Sequence, residues 1–142
     1  MLTHEPWDEN NLLEVSPLVL AYIGDAVFEL LVRTNMVSAG HRRMKDIHLE
    51  TVQMVKAESQ ARIIRQIIDE LSKEEQDIVR RGRNTHSTPP KNADMQEYRM
   101  STGFEALIGY LYLKGDEERV LYLVNRALQI PLLPVKAIAL GT

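Results

Sequence analysis

Two carboxylates lie inside the most apolar helical stretches of the sequence. Asp25 lies within residues 20–28 and Glu105 lies within residues 102–110, where most neighbours are apolar. Burying an unpaired carboxylate costs several kcal/mol, so each acid needs a cation, a hydrogen-bond donor or a metal ion beside it. From these features alone, pairing with an arginine or capping of a neighbouring backbone is the simpler alternative.

Glycines accompany both acids. Gly24 directly precedes Asp25, and Gly103 and Gly109 flank Glu105. A glycine inside a helix costs roughly 1 kcal/mol relative to alanine, and close approach of another helix or of a ligand would explain its presence. Two carboxylates on different helices, with oxygen as the only donor atom, suit a hard cation such as Mg²⁺ that takes further ligands from water and phosphate. This combination predicts phosphodiester chemistry.

Other chemistries find less support in the sequence. The chain has no cysteine, which excludes disulfides, zinc–thiolate sites and cysteine nucleophiles. Its four histidines have no metal-ligand spacing, and there is no glycine-rich phosphate loop. The acidic N-terminal residues do not resemble a secretory signal, and no apolar stretch approaches the roughly 20 residues that span a bilayer. We therefore expect a cytoplasmic protein.

The distribution of charge favours nucleic-acid binding more than the net charge of −3 does. Residues 33–45 carry four basic residues and no acid, and residues 78–93 carry another four and no acid. The remaining nine basic residues are accompanied by all 20 acidic residues of the chain. Such segregation can give an acidic protein a positive surface for a polyanion. Two solvated loops that happen to be basic are the alternative.

Helices must position these groups, because the hydrophobic pattern is helical throughout. Ser16 and Pro17 predict the start of a long helix that ends before Gly40. The capping box of Ser72 and Glu75 predicts a short helix that ends near residues 81–82. Apolar periodicity predicts further helices over residues 43–57, 59–71, 95–114 and 117–128. We expect one all-α domain over residues 1–142, with a long basic loop at about residues 82–94 and a proline-containing tail at about residues 130–142.

Two segments carry a family resemblance. Residues 22–30, YIGDAVFEL, resemble the signature helix of the ribonuclease III catalytic domain, whose core reads LGDAV followed by an acidic residue. Residues 104–113, FEALIGYLYL, resemble the second catalytic helix of that domain, where an EALIG stretch recurs. The chain ends where an ordinary ribonuclease III continues into a double-stranded-RNA-binding domain. Together with residues 80–84 and 90–92 of the long loop, this is similar to the Mini-ribonuclease III family.

The resemblance implies an all-α homodimer that cleaves double-stranded RNA with Mg²⁺ and leaves 5′-phosphate and 3′-hydroxyl ends. It implies a role in trimming the 23S ribosomal RNA precursor, with a dependence on its own basic loop or on a ribosomal protein. Asp25 and Glu105 carry over as catalytic residues and metal ligands. The residues expected to contact RNA are Arg80, Arg81, Arg83, Asn84, Lys91 and Asn92.

The sequence also departs from full-length ribonuclease III. That family has a glutamate four residues before the signature aspartate and an aspartate three residues before the second glutamate, where this chain has Ala21 and Thr102. Half of the usual carboxylate set is therefore absent. This favours, as the main alternative, a catalytically silent domain that binds structured RNA or a ribosomal particle. A helical adaptor that binds no RNA is a third interpretation.

Overall fold

A computed structural model describes residues 4–85 and 88–130, which form helices and connecting turns with no strand. A short 3₁₀ turn, Ile68–Glu70, follows the fourth helix. In chain order, the helices are α1 Glu9–Glu14, α2 Pro17–Ser38, α3 Met44–Val55, α4 Ala57–Ile67, α5 Lys73–Arg83, α6 Met95–Lys114 and α7 Glu117–Gln129. None of them is long and apolar enough to cross a membrane.

Polar side chains fix the ends of the long helices. The Ser16 hydroxyl accepts from the backbone N–H of Leu18, and the next residue is the proline expected at the first helical position. At α5 the Ser72 hydroxyl and the Glu75 carboxylate each accept from the other residue's backbone N–H. Gly115 ends α6 in the left-handed region at φ +87°, a conformation that glycine adopts without strain.

Helix α6 is the central element of the fold. It packs against α2, α4 and α5, and more than half of its residues are buried. Phe28 of α2 meets Phe104 of α6 edge to face, with ring centroids 5.0 Å apart. Since one hydrophobic cluster includes residues of all these helices, the described helices share a core, and α6 holds its position relative to three neighbours at once.

The predicted helices are confirmed, with differences at their ends. The third predicted helix stops at Ile67, because the chain tightens there into the 3₁₀ turn. Helix α1 is absent from the sequence-based assignment, since its six residues are too few to show a hydrophobic period. Residues 131–142, most of the predicted tail, lie outside the described residues, as do residues 86–87 of the basic loop.

Candidate active site

The two candidate acids meet where the backbones of α2 and α6 touch. A Cβ atom built on Gly24 would lie 1.7 Å from the backbone oxygen of Glu105. A Cβ atom built on Gly109 would lie 1.9 Å from the backbone oxygen of Leu20. Neither position has room for a side chain, so the two glycines allow a helix contact that alanine would prevent. Asp25, the neighbour of Gly24, is thereby brought to the turn of α6 that carries Glu105.

The Glu105 side chain is half-buried, and its carboxyl group lies beside that of Asp25. Burial, followed by the hydrogen bond and the charge of Asp25, raises the pKa of Glu105 from 4.5 to about 8. A hydrogen bond from Gln60 acts in the opposite direction, with its Nε2 3.4 Å from Oε2 of Glu105. Glu105 is therefore mostly protonated near pH 7 when no cation is present, whereas the exposed Asp25 faces solvent.

This arrangement suits a hard cation. Two carboxyl groups in contact repel one another once both are ionised, and a divalent ion between them would remove that repulsion. Within residues 4–85 and 88–130 no group of three or more Asp, Glu, His or Cys residues is arranged to hold a metal. An ion at Asp25 and Glu105 would therefore complete its shell with water or with phosphate oxygens, as Mg²⁺ commonly does.

The positions of the two missing carboxylates supply no replacement acid. Ala21 is buried in α2, one turn before Asp25. Thr102 is buried in α6, and its hydroxyl donates to the backbone oxygen of Tyr98 at 3.0 Å. Glu29, one turn after Asp25, forms an ion pair with Arg33 at 2.9 Å. The candidate site therefore contains two carboxylates supported by an amide.

Two of the predicted RNA-contacting residues line a groove between α4, α5 and α6. Arg80 and Arg83 reach it from α5, and Arg65 reaches it from α4, across a volume of about 450 Å³. Asp77 also lines the groove and lies 3.1 Å from Arg80. The sequence does not single out Arg65, because it lies outside the acid-free segments and only the packing of α4 and α5 against α6 adds it to this surface.

The other predicted RNA-contacting residues are placed differently. Arg81 donates to the backbone oxygen of Leu13 at 3.3 Å, so its guanidinium is engaged with α1. Asn84 caps the end of α5. Lys91 and Asn92 are exposed in the turn before α6, where Asn92 adopts the left-handed region at φ 68°. Asn84 also accepts from Nε of Arg83 at 3.3 Å and so adjoins the groove, whereas Arg81, Lys91 and Asn92 do not line it.

Gln60 is a further residue of the site that the sequence-based predictions do not include. This residue is only 1% exposed and lies in α4, yet it reaches Glu105 from a position 45 residues away in the chain. A signal was present in the sequence: Gln60 occupies the helical stripe otherwise made of Ile63, Ile64 and Ile67.

Comparison with known proteins identifies the family. The model of the Ribonuclease III domain matches residues 18–116. A protein named Mini-ribonuclease 3 from Thermoanaerobacter sp. (strain X514) is 50% identical over 123 residues, covering 86% of this chain and 87% of that protein. The chain belongs to the Mini-ribonuclease III family. Another Mini-ribonuclease 3, from Streptococcus pneumoniae, is 41% identical over 118 residues, covering 81% of this chain and 92% of that protein.

A solved structure agrees with the fold of this Mini-ribonuclease III. The crystal structure of a protein from Fusobacterium nucleatum superimposes with a TM-score of 0.76 at 29% identity, covering 84% of this chain and 96% of that one. The all-α ribonuclease III fold predicted from the sequence is thereby confirmed, and the chain is an endoribonuclease. This membership disfavours both the catalytically silent domain and the adaptor that binds no RNA.

Proposed function

We propose that the chain hydrolyses double-stranded RNA in a Mg²⁺-dependent reaction that leaves 5′-phosphate and 3′-hydroxyl ends. The observation that carries this proposal is the contact between the carboxyl groups of Asp25 and Glu105 at the glycine crossing of α2 and α6. Two carboxylates in contact repel one another once both are ionised, and a divalent cation held by both would relieve that repulsion.

Asp25 and Glu105 are the residues that would hold Mg²⁺. When bound, the ion supplies a Lewis acid that polarises a phosphate oxygen and lowers the pKa of water. Asp25 is exposed and so is accessible to RNA, whereas Glu105 lies deeper and would contact the ion from the side of the core. Glu105 must lose the proton that it holds at neutral pH before its oxygens can act as ligands.

We propose a homodimer formed through the outer face of α2. Leu18, Val19, Tyr22 and Leu30 are all large, apolar or aromatic and exposed on this helix, and Tyr22 is 78% exposed. A contiguous exposed apolar face typically marks an interface. Asp25 lies on the same helix, so a symmetric dimer would carry two such acids beside its interface. Sedimentation of the purified chain tests the proposed homodimer, and a monomer at micromolar concentration would contradict it.

The groove formed by Arg65, Arg80 and Arg83 supports the part of the proposal that concerns RNA. Guanidinium groups suit phosphate recognition, and double-stranded RNA is recognised through its backbone and shape. Lys91 and Asn92, exposed in the turn before α6, would add contacts to phosphates and 2′-hydroxyls. Arg81 and Asn84 belong to the same proposed surface, although Arg81 also contacts α1 and Asn84 caps α5.

The proposed biological substrate is the 23S ribosomal RNA precursor, with a ribosomal protein as an additional partner. The family resemblance supports this choice. The proposed substrate implies a cytoplasmic location, because bacterial ribosomal RNA is processed there.

Incubation of the purified chain with a long, perfectly paired RNA tests the proposed function. Fragments with 5′-phosphates are expected with Mg²⁺, and none are expected with excess chelator. Asp25→Asn and Glu105→Gln should keep the fold and abolish cleavage, whereas Glu118→Gln, on the exposed side of α7, should cut like the wild type. Cleavage at the wild-type rate by either active-site variant would refute the assignment of the two ligands.

A further inference from the structure

On the face of helix α4 that packs into the core, a glutamine lies among isoleucines. Gln60, Ile63, Ile64 and Ile67 lie on one face of the helix and are 1%, 3%, 0% and 0% exposed. An amide buried without a hydrogen bond destabilises the folded state, and an aliphatic residue would fill this position without that cost. The presence of glutamine therefore indicates a hydrogen-bond partner, which an aliphatic side chain could not bind.

Glu105 is that partner. The Nε2 group of Gln60 donates to Oε2 of Glu105 at 3.4 Å, across the packing of α4 against α6. The neighbouring residue holds this part of α4 in place, because the buried Ser59 hydroxyl donates to the backbone oxygen of Gln53 at the end of α3. Gln60 thus reaches the carboxyl group from a fixed helix, while Asp25 meets it from α2.

We propose that Gln60 is a positioning residue that orients the Glu105 carboxylate toward Asp25 for binding of a divalent cation. The inference rests on the proposed function, since it assigns a role in the same site. An N–H donor on a fixed helix sets the direction in which the carboxylate oxygens point. It also restricts rotation of the Glu105 side chain, so that less freedom is lost when the ion binds. Outer hydrogen-bond partners of metal ligands typically change metal affinity by about 10- to 100-fold when removed.

The substitution Gln60→Leu separates this role from a purely structural one. Leucine fits the isoleucine face and removes the donor, so the variant should unfold at the same temperature as the wild type or higher. Its affinity for Mn²⁺, measured by calorimetry on the metal-free protein without RNA, should fall about 10- to 100-fold. The Mg²⁺ concentration for half-maximal cleavage should rise by a similar factor, and saturating Mg²⁺ should restore most of the maximal rate.

The matched control is Gln66→Leu, the same change on the exposed side of α4. It should leave the Mn²⁺ affinity and the Mg²⁺ dependence unchanged. If Gln60→Leu does not fold, Gln60→Met makes the same test with an unbranched side chain. Wild-type Mn²⁺ affinity in a folded Gln60 variant would overturn the positioning role and leave the proposed function intact. A wild-type protein that binds no Mn²⁺ would overturn the two-carboxylate metal site and this inference with it.

Discussion

Removal of the Glu105 charge should stabilise the metal-free protein at high pH, although it abolishes cleavage. The folded-state pKa of about 8 lies above the ordinary value of 4.5, so the folded chain holds a proton that the unfolded chain releases between these values. Stability from this group is therefore fully present below pH 4.5, falls as the pH rises, and is lost above pH 8. Glutamine resembles the protonated carboxyl group at every pH.

The magnitude follows from the same two pKa values. A rise from 4.5 to about 8 corresponds to an upper limit of about 5 kcal/mol. Water reaching a group that is not fully buried reduces this limit, and we expect about 2–3 kcal/mol. Glu105→Gln and the wild type should therefore be similarly stable near pH 5, and the variant should be more stable by this amount near pH 9.

Urea unfolding in the presence of a chelator, at several pH values between 5 and 9, measures this difference. Ionisations common to both proteins cancel when their free energies of unfolding are subtracted at each pH. Addition of Mg²⁺ at pH 8 should stabilise the wild type and leave the variant almost unchanged, because only the folded wild type has the complete ligand pair. A difference between the two proteins that does not change with pH would refute the burial of Glu105 beside Asp25.

Three further expectations follow from other parts of the structure. Gly109→Ala should lower the melting temperature and strongly reduce cleavage, because its Cβ atom would lie 1.9 Å from a backbone oxygen of α2; an unaffected melting curve would contradict the close crossing. Glu75→Ala should cost about 3 kcal/mol in urea unfolding, because it leaves Arg119, now 2.8 Å from both carboxylate oxygens, without its partner. In the double variant Arg83→Ala, Lys91→Ala, the plot of log affinity for RNA against log salt concentration should become less steep by about two units. Filter binding over a salt series measures this slope, and an unchanged slope would contradict the predicted phosphate contacts.

The sequence predicts the long helices well because their ends are encoded locally. Ser16 and the pair of Ser72 and Glu75 accept hydrogen bonds from backbone N–H groups within three residues, so the chain nearby suffices to identify them. Helix α1 has a comparable cap at Asp8, but its one buried residue gives no periodic pattern to accompany the cap. Short helices of this kind depend on tertiary packing, which the local sequence does not contain.

The candidate site is predictable in part for a similar reason. The family resemblance indicates Asp25 and Glu105, and the glycines beside them indicate close helix packing. Gln60 and Arg65 belong to a third helix, and their relation to the site depends on how α4 packs in three dimensions. The RNA-contacting assignments remain predictions, and the contact of Arg81 with α1 could not be anticipated from its position in a basic segment.

The crossing of α2 and α6 has a consequence for how this enzyme could evolve or be engineered. The spacing of the two backbone segments that carry the acids is set by main chain in contact with main chain, with no side chain between them at Gly24 and Gly109. Substitutions elsewhere in the hydrophobic interior can then alter folding stability while the spacing of Asp25 and Glu105 stays constant. Thermal stability and cleavage activity should consequently vary independently among relatives. In a search for heat-tolerant variants, the buried isoleucines and leucines can be substituted, whereas both glycines must be kept.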